Sequence, residues 1–248
     1  MRTARFPSVF LAGLCWFGGS ESVRAQADDA ASTRQEYQQW FSFDLGYDPT
    51  KRLSLDAQYV CRTYGFVQRF KGSYYYLEAR YRINKHWYPD AHVRVVNTHF
   101  DDRFRVEFGM QYRYRWHKKN RLSYRVGYFN ERRHLLPDDQ LETAPINYVR
   151  NKVRYRRELP EHLVGYASVE TYTKFDAHGW RLKRMAYVAG VIRKLDGGRE
   201  VFLEYLYQPE YNEVAPVHLS SLTLGFSWDL TKPRYHHGRG SDRERDDR

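Results

Sequence analysis

Apolar runs are what this sequence has least of. No stretch approaches the roughly 18 consecutive apolar residues of a helical membrane span, and the mean hydropathy is −0.81. A helical membrane protein is therefore excluded. A membrane barrel is not, because alternating strands average to polar over any hydropathy window. Cysteine is scarce as well. Of Cys15 and Cys61, the first falls in the leader described below, which leaves Cys61 alone and no intrachain disulfide. Cys15 follows Ala-Gly-Leu, and leucine is too bulky just before a lipobox cysteine, so a lipoprotein is excluded too. Sustained helical periodicity is missing, as are metal, phosphate-loop and nucleotide motifs, so no cofactor is expected. Acidic residues are the minority charge, 30 against 41 Lys and Arg.

What is present is alternation. Residues 103–116 read RFRVEFGMQYRYRW, with Phe104, Val106, Phe108, Met110, Tyr112, Tyr114 and Trp116 on one parity and mostly Arg, Glu and Gln on the other. A period of two describes a β-strand with one apolar and one polar face. The pattern recurs, predicting strands near 36–47, 51–62, 73–83, 90–98, 102–117, 119–131, 147–157, 162–175, 181–194, 199–208 and 217–230. The ninth, KRMAYVAGVIRKL, is apolar on both parities and cannot be oriented. The 22 Tyr residues and 17% aromatics suit strands. The chain thus reads as all-β: a single antiparallel transmembrane β-barrel of about 10–12 strands.

Three further features favour a barrel with lipid outside. MRTAR followed by the apolar stretch 7–17 and Val23-Arg24-Ala25 reads as a cleaved signal peptide over 1–25. Short turns (DPTK, NKH, HKKN, ELPE, LDGG) alternate with connections read as longer, the plan of an outer-membrane barrel with the short rim periplasmic. Tyr47, Tyr81, Trp116, Tyr155 and Trp228 lie on the apolar parity close to short turns or the last strand end, forming one aromatic girdle. The division is then a leader at 1–25, an N-terminal segment at 26–35, the barrel at 36–230 and a polar tail at 231–248. Eleven strands are counted where bacterial barrels have even numbers. An extra strand in 26–35, or threading of that segment through the lumen, would restore parity.

The chain also resembles a family of predicted Gram-negative outer-membrane barrels, domain of unknown function 2490. The resembling residues are QEYQQWFSFDLGYDPTKRLSLDAQY, INYVRNKVRYRREL with its NYVRNK core, VFLEYLYQPEYN and LTLGFSWDL, covering about 35–230. The resemblance implies an outer-membrane barrel and supplies no activity. Barrels of this kind end on a terminal aromatic, whereas here TKPRYHHGRGSDRERDDR continues.

The polar parity carries the chemistry. Arg80, Arg82, Arg103, Arg105, Arg113, Arg115, Arg125 and Arg154, with Arg62, Arg121 and Arg156, face Glu107, Glu170, Glu204, Asp56 and Glu78. In lipid each arginine would cost about 2–4 kcal/mol near the midplane, so in a barrel they face the lumen. There they either select anions in a small porin-like channel or brace a plugged structural or surface-binding barrel. The formal net charge is +11, of which +7 remains without the leader and tail. The partners implied are outer-membrane lipid and lipopolysaccharide, the barrel-assembly machinery during insertion, and small anionic solutes. A nucleic-acid binder fits neither the leader nor the girdle, and a soluble barrel with its apolar parity inward remains the alternative of opposite sign. For an outer-membrane enzyme, His99, Asp101 and Asp102 are placed near the outer rim, but no nucleophile accompanies them, so no catalytic residue is assigned. His236-His237 in the tail read as solvated residues, with no metal site assigned.

Overall fold

The structure, a computed structural model, describes residues 33–64, 67, 69–98, 102–117, 119–133, 145–176, 179–213 and 215–231. Residues 1–25, most of the 26–35 segment, the tail beyond 231, His99 and Asp101 lie outside these. Eleven strands follow one another around a closed barrel: β1 (Arg34–Tyr47), β2 (Leu53–Tyr64), β3 (Arg69–Tyr81), β4 (Trp87–Thr98), β5 (Arg103–Trp116), β6 (Asn120–Arg133), β7 (Ile146–Glu158), β8 (Leu163–Asp176), β9 (Gly179–Lys194), β10 (Arg199–Pro209) and β11 (Val217–Asp229). Each strand pairs with its sequence neighbour in antiparallel register.

The closing pair corrects the wholly antiparallel expectation. An odd number of up-and-down strands leaves the first and last pointing the same way, and β1 pairs β11 in parallel from Arg34↔Val217 to Gly46↔Asp229. The odd count therefore needs no extra strand. Parallel ladders are slightly less stable per residue, and here the seam is reinforced from outside by Phe43 stacked on Phe226 at 5.9 Å. Backbone bonds extend it at both ends, from Arg34 N–H to the Pro216 carbonyl and from Leu230 N–H to the Gly46 carbonyl.

Loop sorting is weaker than the sequence implied. One rim, called here the turn rim, carries 48–52, 82–86, 117–119, 159–162 and 195–198. The opposite loop rim carries 65–68, 99–102, 134–145, 177–178 and 210–216, of which only 134–145 and 210–216 are long. β2, β3, β8 and β9 run further toward the loop rim than their alternation indicates. Bulges in β3 and β9 shift the register there, between Arg62 and Thr63 and between Tyr172 and Thr173. A bulge breaks the period of two, so the pattern fades although pairing continues.

Polarity is inverted relative to a water-soluble protein. Mid-strand Leu77 (59% exposed), Phe108 (62%), Leu203 (50%) and Leu224 (50%) face outward, while Arg105, Glu107, Arg125, Glu131 and Glu170 are buried inside. β9 resolves with Ala186 and Val188 inward. They join Phe129, Tyr166, Tyr172 and Leu206 in an apolar sector of the interior, with Ile192 packed against it. That sector is why β9 reads apolar on both parities.

The seam is open to a direct test. In a Cys61→Ser background, needed because Cys61 lies opposite Phe41, the pairs Phe41→Cys with Leu224→Cys and Leu45→Cys with Trp228→Cys should both form disulfides on oxidation. Each pair is in register across the seam, within the spacing a disulfide tolerates. An antiparallel closure would permit at most one of them.

Candidate functional site

The lumen is built around a gap in its wall. Asp90, Gly109, Gly127 and Arg150 stand in one cross-strand row over β4 to β7. A Cβ on Gly109 would lie 2.5 Å from Arg125 Nη2 and 2.6 Å from Asp90 Oδ1, and one on Gly127 would lie 2.8 Å from Glu107 Oε1. The two glycines thus leave room for side chains to cross over neighbouring strands. Arg125 of β6 crosses β5 to donate to Asp90 of β4, with Nη2–Oδ1 at 2.5 Å, and also pairs with Glu107. Arg150 of β7 reaches across β6 to Glu107 at 3.4 Å and pairs with Glu170 at 2.7 Å. Lys152 adds a second cation to Glu170.

On the other side, Asp90 accepts from His92 Nε2 at 2.8 Å, and His92 Nδ1 meets the Tyr76 hydroxyl. Glu78 takes Tyr76 at 3.2 Å and pairs with Arg80. One continuous chain of charge and hydrogen bonds therefore laces β3 to β8. Buried charges are tolerable only when paired and bonded in this way. Glu78, Asp90 and His92 offer ligand atoms within 4.8 Å of one another. Arg80 and Arg125 already balance these carboxylates, so the donor set does not fit a metal ion. The space enclosed with Tyr76, Arg94, Arg105, Glu107 and Arg150 is about 20 Å³, room for roughly one water.

Two larger cavities flank this lattice. One of about 610 Å³ runs to the loop-rim strand ends at Tyr64, Lys71 and Thr98 and is lined by eight Lys and Arg against Glu131, Glu170 and Glu204. The other, about 440 Å³ on the turn-rim side, has the opposite balance: Arg80, Arg154 and Arg156 against Asp44, Asp56, Glu78, Glu200 and Glu204. The cavities abut at Trp40, Gln58, Tyr74, Tyr76 and Glu204. Glu204 is held there by the Tyr166 hydroxyl, which donates at 2.7 Å.

The residues singled out from the sequence fall into distinct places. Arg103 and Arg105 line the basic cavity, and Arg105 is bonded to Glu131 at 2.5 Å. Arg80 and Arg154 line the acidic cavity. Glu107, Arg125 and Glu170 form the lattice, and Glu204 touches both cavities. Arg113 stacks over Tyr88 at 4.0 Å and bonds Gln111, outside either cavity. Arg115 is exposed near the turn-rim end of β5, and Arg82 lies just beyond β3. Asp102 stands just before β5, and its companions His99 and Asp101 lie outside the described residues. Tyr47, Tyr81, Trp116, Tyr155 and Trp228 close their strands at the turn rim. Trp116 stacks on Tyr155 at 5.9 Å, and the other three are among the exposed large side chains.

Sequence reasoning missed Asp90, His92, Arg94, Glu131, Arg150, Lys152 and Arg184. For most the signal was there: DAHVR and RNKVR place Asp90, His92 and Arg94, and Arg150 and Lys152, on one parity. Arg184 was hidden by the β9 bulge. A second outward aromatic set near the loop rim, Tyr37, Phe175 and Trp180, was also missed.

No family model matches the chain, and no curated protein matches it. Among solved structures it is similar to one described as a bacterial polysaccharide outer membrane secretin, at 8% identity and a TM-score of 0.44, covering 71% of this chain and 73% of that one. A second, from work on the in-meso crystallization of membrane proteins, matches at 14% identity and a TM-score of 0.36, covering 66% and 69%. Both scores lie below 0.5, and nothing about function is taken from them.

The lattice sets an energetic expectation. Arg125→Met strands Asp90 and Glu107 without their shared cation and should destabilise the barrel by about 3–5 kcal/mol. Arg113→Met, which breaks no ion pair among the described residues, should cost less than about 1 kcal/mol. Urea titration of the folded protein in detergent micelles, followed by tryptophan fluorescence, measures both.

Proposed function

We propose that this chain is an outer-membrane β-barrel that takes anions into its loop-rim cavity, a binding barrel and not an open pore. Membership of the barrel family that the sequence resembles belongs to the same reading. The membrane part is supported by the inverted polarity, since large exposed apolar areas on every outward strand face have no place in water. Spacing supports it as well. Tyr37 and Tyr47 are ten residues apart on β1, about 33 Å along a strand. At the usual barrel tilt of about 40° that is a height of about 25 Å, which matches the apolar band of membrane barrels.

The binding part rests on one observation: the sign of charge changes along the lumen. The loop-rim cavity is basic and the turn-rim cavity acidic. A low-dielectric wall focuses the first field to attract anions and the second to repel them. Members of the ion-pair lattice line both cavities, Arg150, Lys152 and Glu170 the basic one and Glu78 and Arg80 the acidic one. The porin-like alternative draws on a different observation, that the cavities abut at Trp40, Gln58, Tyr74, Tyr76 and Glu204.

Two measurements test this. Phe108→Arg should abolish recovery of folded protein in outer membranes while Phe108→Leu is tolerated, since only the first places a charge in hydrocarbon at about 2–4 kcal/mol. Equal tolerance would remove the membrane reading. In planar bilayers the barrel should give little steady conductance and no strong anion preference. A large anion-selective conductance would replace the binding reading with the pore.

A further inference from the structure

Most cations of the loop-rim cavity are spoken for. Arg105 is held by Glu131, Arg150 by Glu170 and Glu107, Lys152 by Glu170, and Lys71 by Glu36. Three arginines differ. Arg62, Arg94 and Arg184 make no ion pair among the described residues. Arg62 Nε and Nη2, Arg94 Nε and Arg184 Nε are buried without a hydrogen-bond partner. Arg94 shares the cavity lining with Arg62 and Arg105, cations both. Buried guanidinium nitrogens without a partner are costly to fold, and an anion from outside the chain would complete them.

Aromatic faces position the cluster. Arg94 lies 4.0 Å over the Tyr74 ring with Arg62 6.0 Å from the same ring, and Arg184 lies 4.3 Å over Tyr172. A guanidinium on an aromatic face is held through its plane, which leaves its N–H edge for a ligand. The three arise from β2, β4 and β9, with β9 across the barrel from β4, and all line the one loop-rim cavity. A carboxylate offers two oxygens, whereas the phosphoryl group of a monoester offers three around a tetrahedron and carries up to two charges, matching three guanidinium edges. At about 610 Å³ the cavity is in the range of small-molecule sites and well beyond a bare phosphate ion. The remaining wall includes Trp40, Tyr64 and Phe70, flat faces against which a sugar ring can lie.

We propose that Arg62, Arg94 and Arg184 form a binding site for the phosphoryl group of a soluble phosphate monoester, a sugar phosphate being the class that fits. The assignment rests on the reading of the loop-rim cavity as anion-binding, and it names the ligand. A free ester is preferred to a lipid headgroup because the site lies inside the barrel wall, whereas lipid would surround the wall.

Calorimetric titration of the full-length barrel in detergent with glucose 6-phosphate, glucuronate, inorganic phosphate and glucose tests this. Glucose 6-phosphate should bind saturably and at least tenfold more tightly than glucuronate, which has the same ring with a carboxylate. Inorganic phosphate should bind more weakly than the ester, and glucose should give no saturable heat. Arg94→Gln and Arg184→Gln should each weaken the ester at least tenfold, whereas Arg113→Gln, outside the cavity, should leave it unchanged. Variants that fold poorly are recognised by lost heat-modifiable gel mobility, and for those Arg→Lys serves, with a smaller loss expected. Equal affinity for glucuronate overturns the phosphoryl assignment, and no saturable heat for the ester overturns the site. Displacement of the ester by micellar phosphatidic acid as effectively as by free ester overturns the preference for a soluble source. No ester binding together with little conductance would refute this site alone, whereas anion-selective conductance with no ester binding would refute the binding reading along with it. Ester binding with strong conductance would refute only the closed-lumen reading.

Discussion

The interior of this barrel is organised by charge paired from strand to strand, twice across a strand that lies between. A closed β-wall satisfies its own backbone groups but leaves inward side chains to one another and to whatever water the lumen holds. Here the inward positions of β3 to β8 are rich in ionised groups; adjacent strands pair through Arg105–Glu131 and Arg150–Glu170, and Arg125–Asp90 and Arg150–Glu107 cross over an intervening strand. Gly109 and Gly127 make that crossing possible, since any side chain at either position would occupy the space of the Arg125, Asp90 and Glu107 contacts. Two missing side chains thus fix the place where six strands are tied together.

The same arrangement divides the interior. The open volume beside the lattice is basic toward the loop rim and acidic toward the turn rim. Charge summed over the whole chain, +11, conceals that division. Arginine at inward positions is consequently of two kinds. Arg105, Arg125 and Arg150 are structural ties satisfied by carboxylates, while Arg62, Arg94 and Arg184 are held by tyrosine faces and keep unbonded N–H groups. The two kinds are chemically identical in sequence and opposite in what they can do for a ligand.

The closure of the barrel is another consequence of counting. Eleven strands in up-and-down order force one parallel pair, and that pair lacks the narrow, alternating bond spacing of the other ten. Outward stacking of Phe43 on Phe226 places an aromatic contact across the seam. Small-residue strands such as β11, with Ser221, Thr223 and Gly225 inward, let the seam lie beside the apolar sector without crowding it.

Period-two alternation by itself determined the all-β class, the number of strands and their approximate ends, because side chains on a strand must alternate faces whatever the tertiary context. It also separated the charged set from the apolar one: Arg103, Arg105 and Glu107 were legible as one face of β5, and Phe104, Val106 and Phe108 as the other. It could not say which face lies inside, since parity is symmetric to inversion, nor orient β9, whose inward Ala186 and Val188 belong to an apolar sector seen only when β8, β9 and β10 are brought together. The bulges in β3 and β9 erased the period near the loop rim and made short connections look long. Above all, pairing was decided by tertiary structure alone. Arg125 meets Asp90, and Arg94 meets no carboxylate among the described residues, because of what neighbouring strands place within reach, and reach across a closed sheet is not a property that any one strand carries.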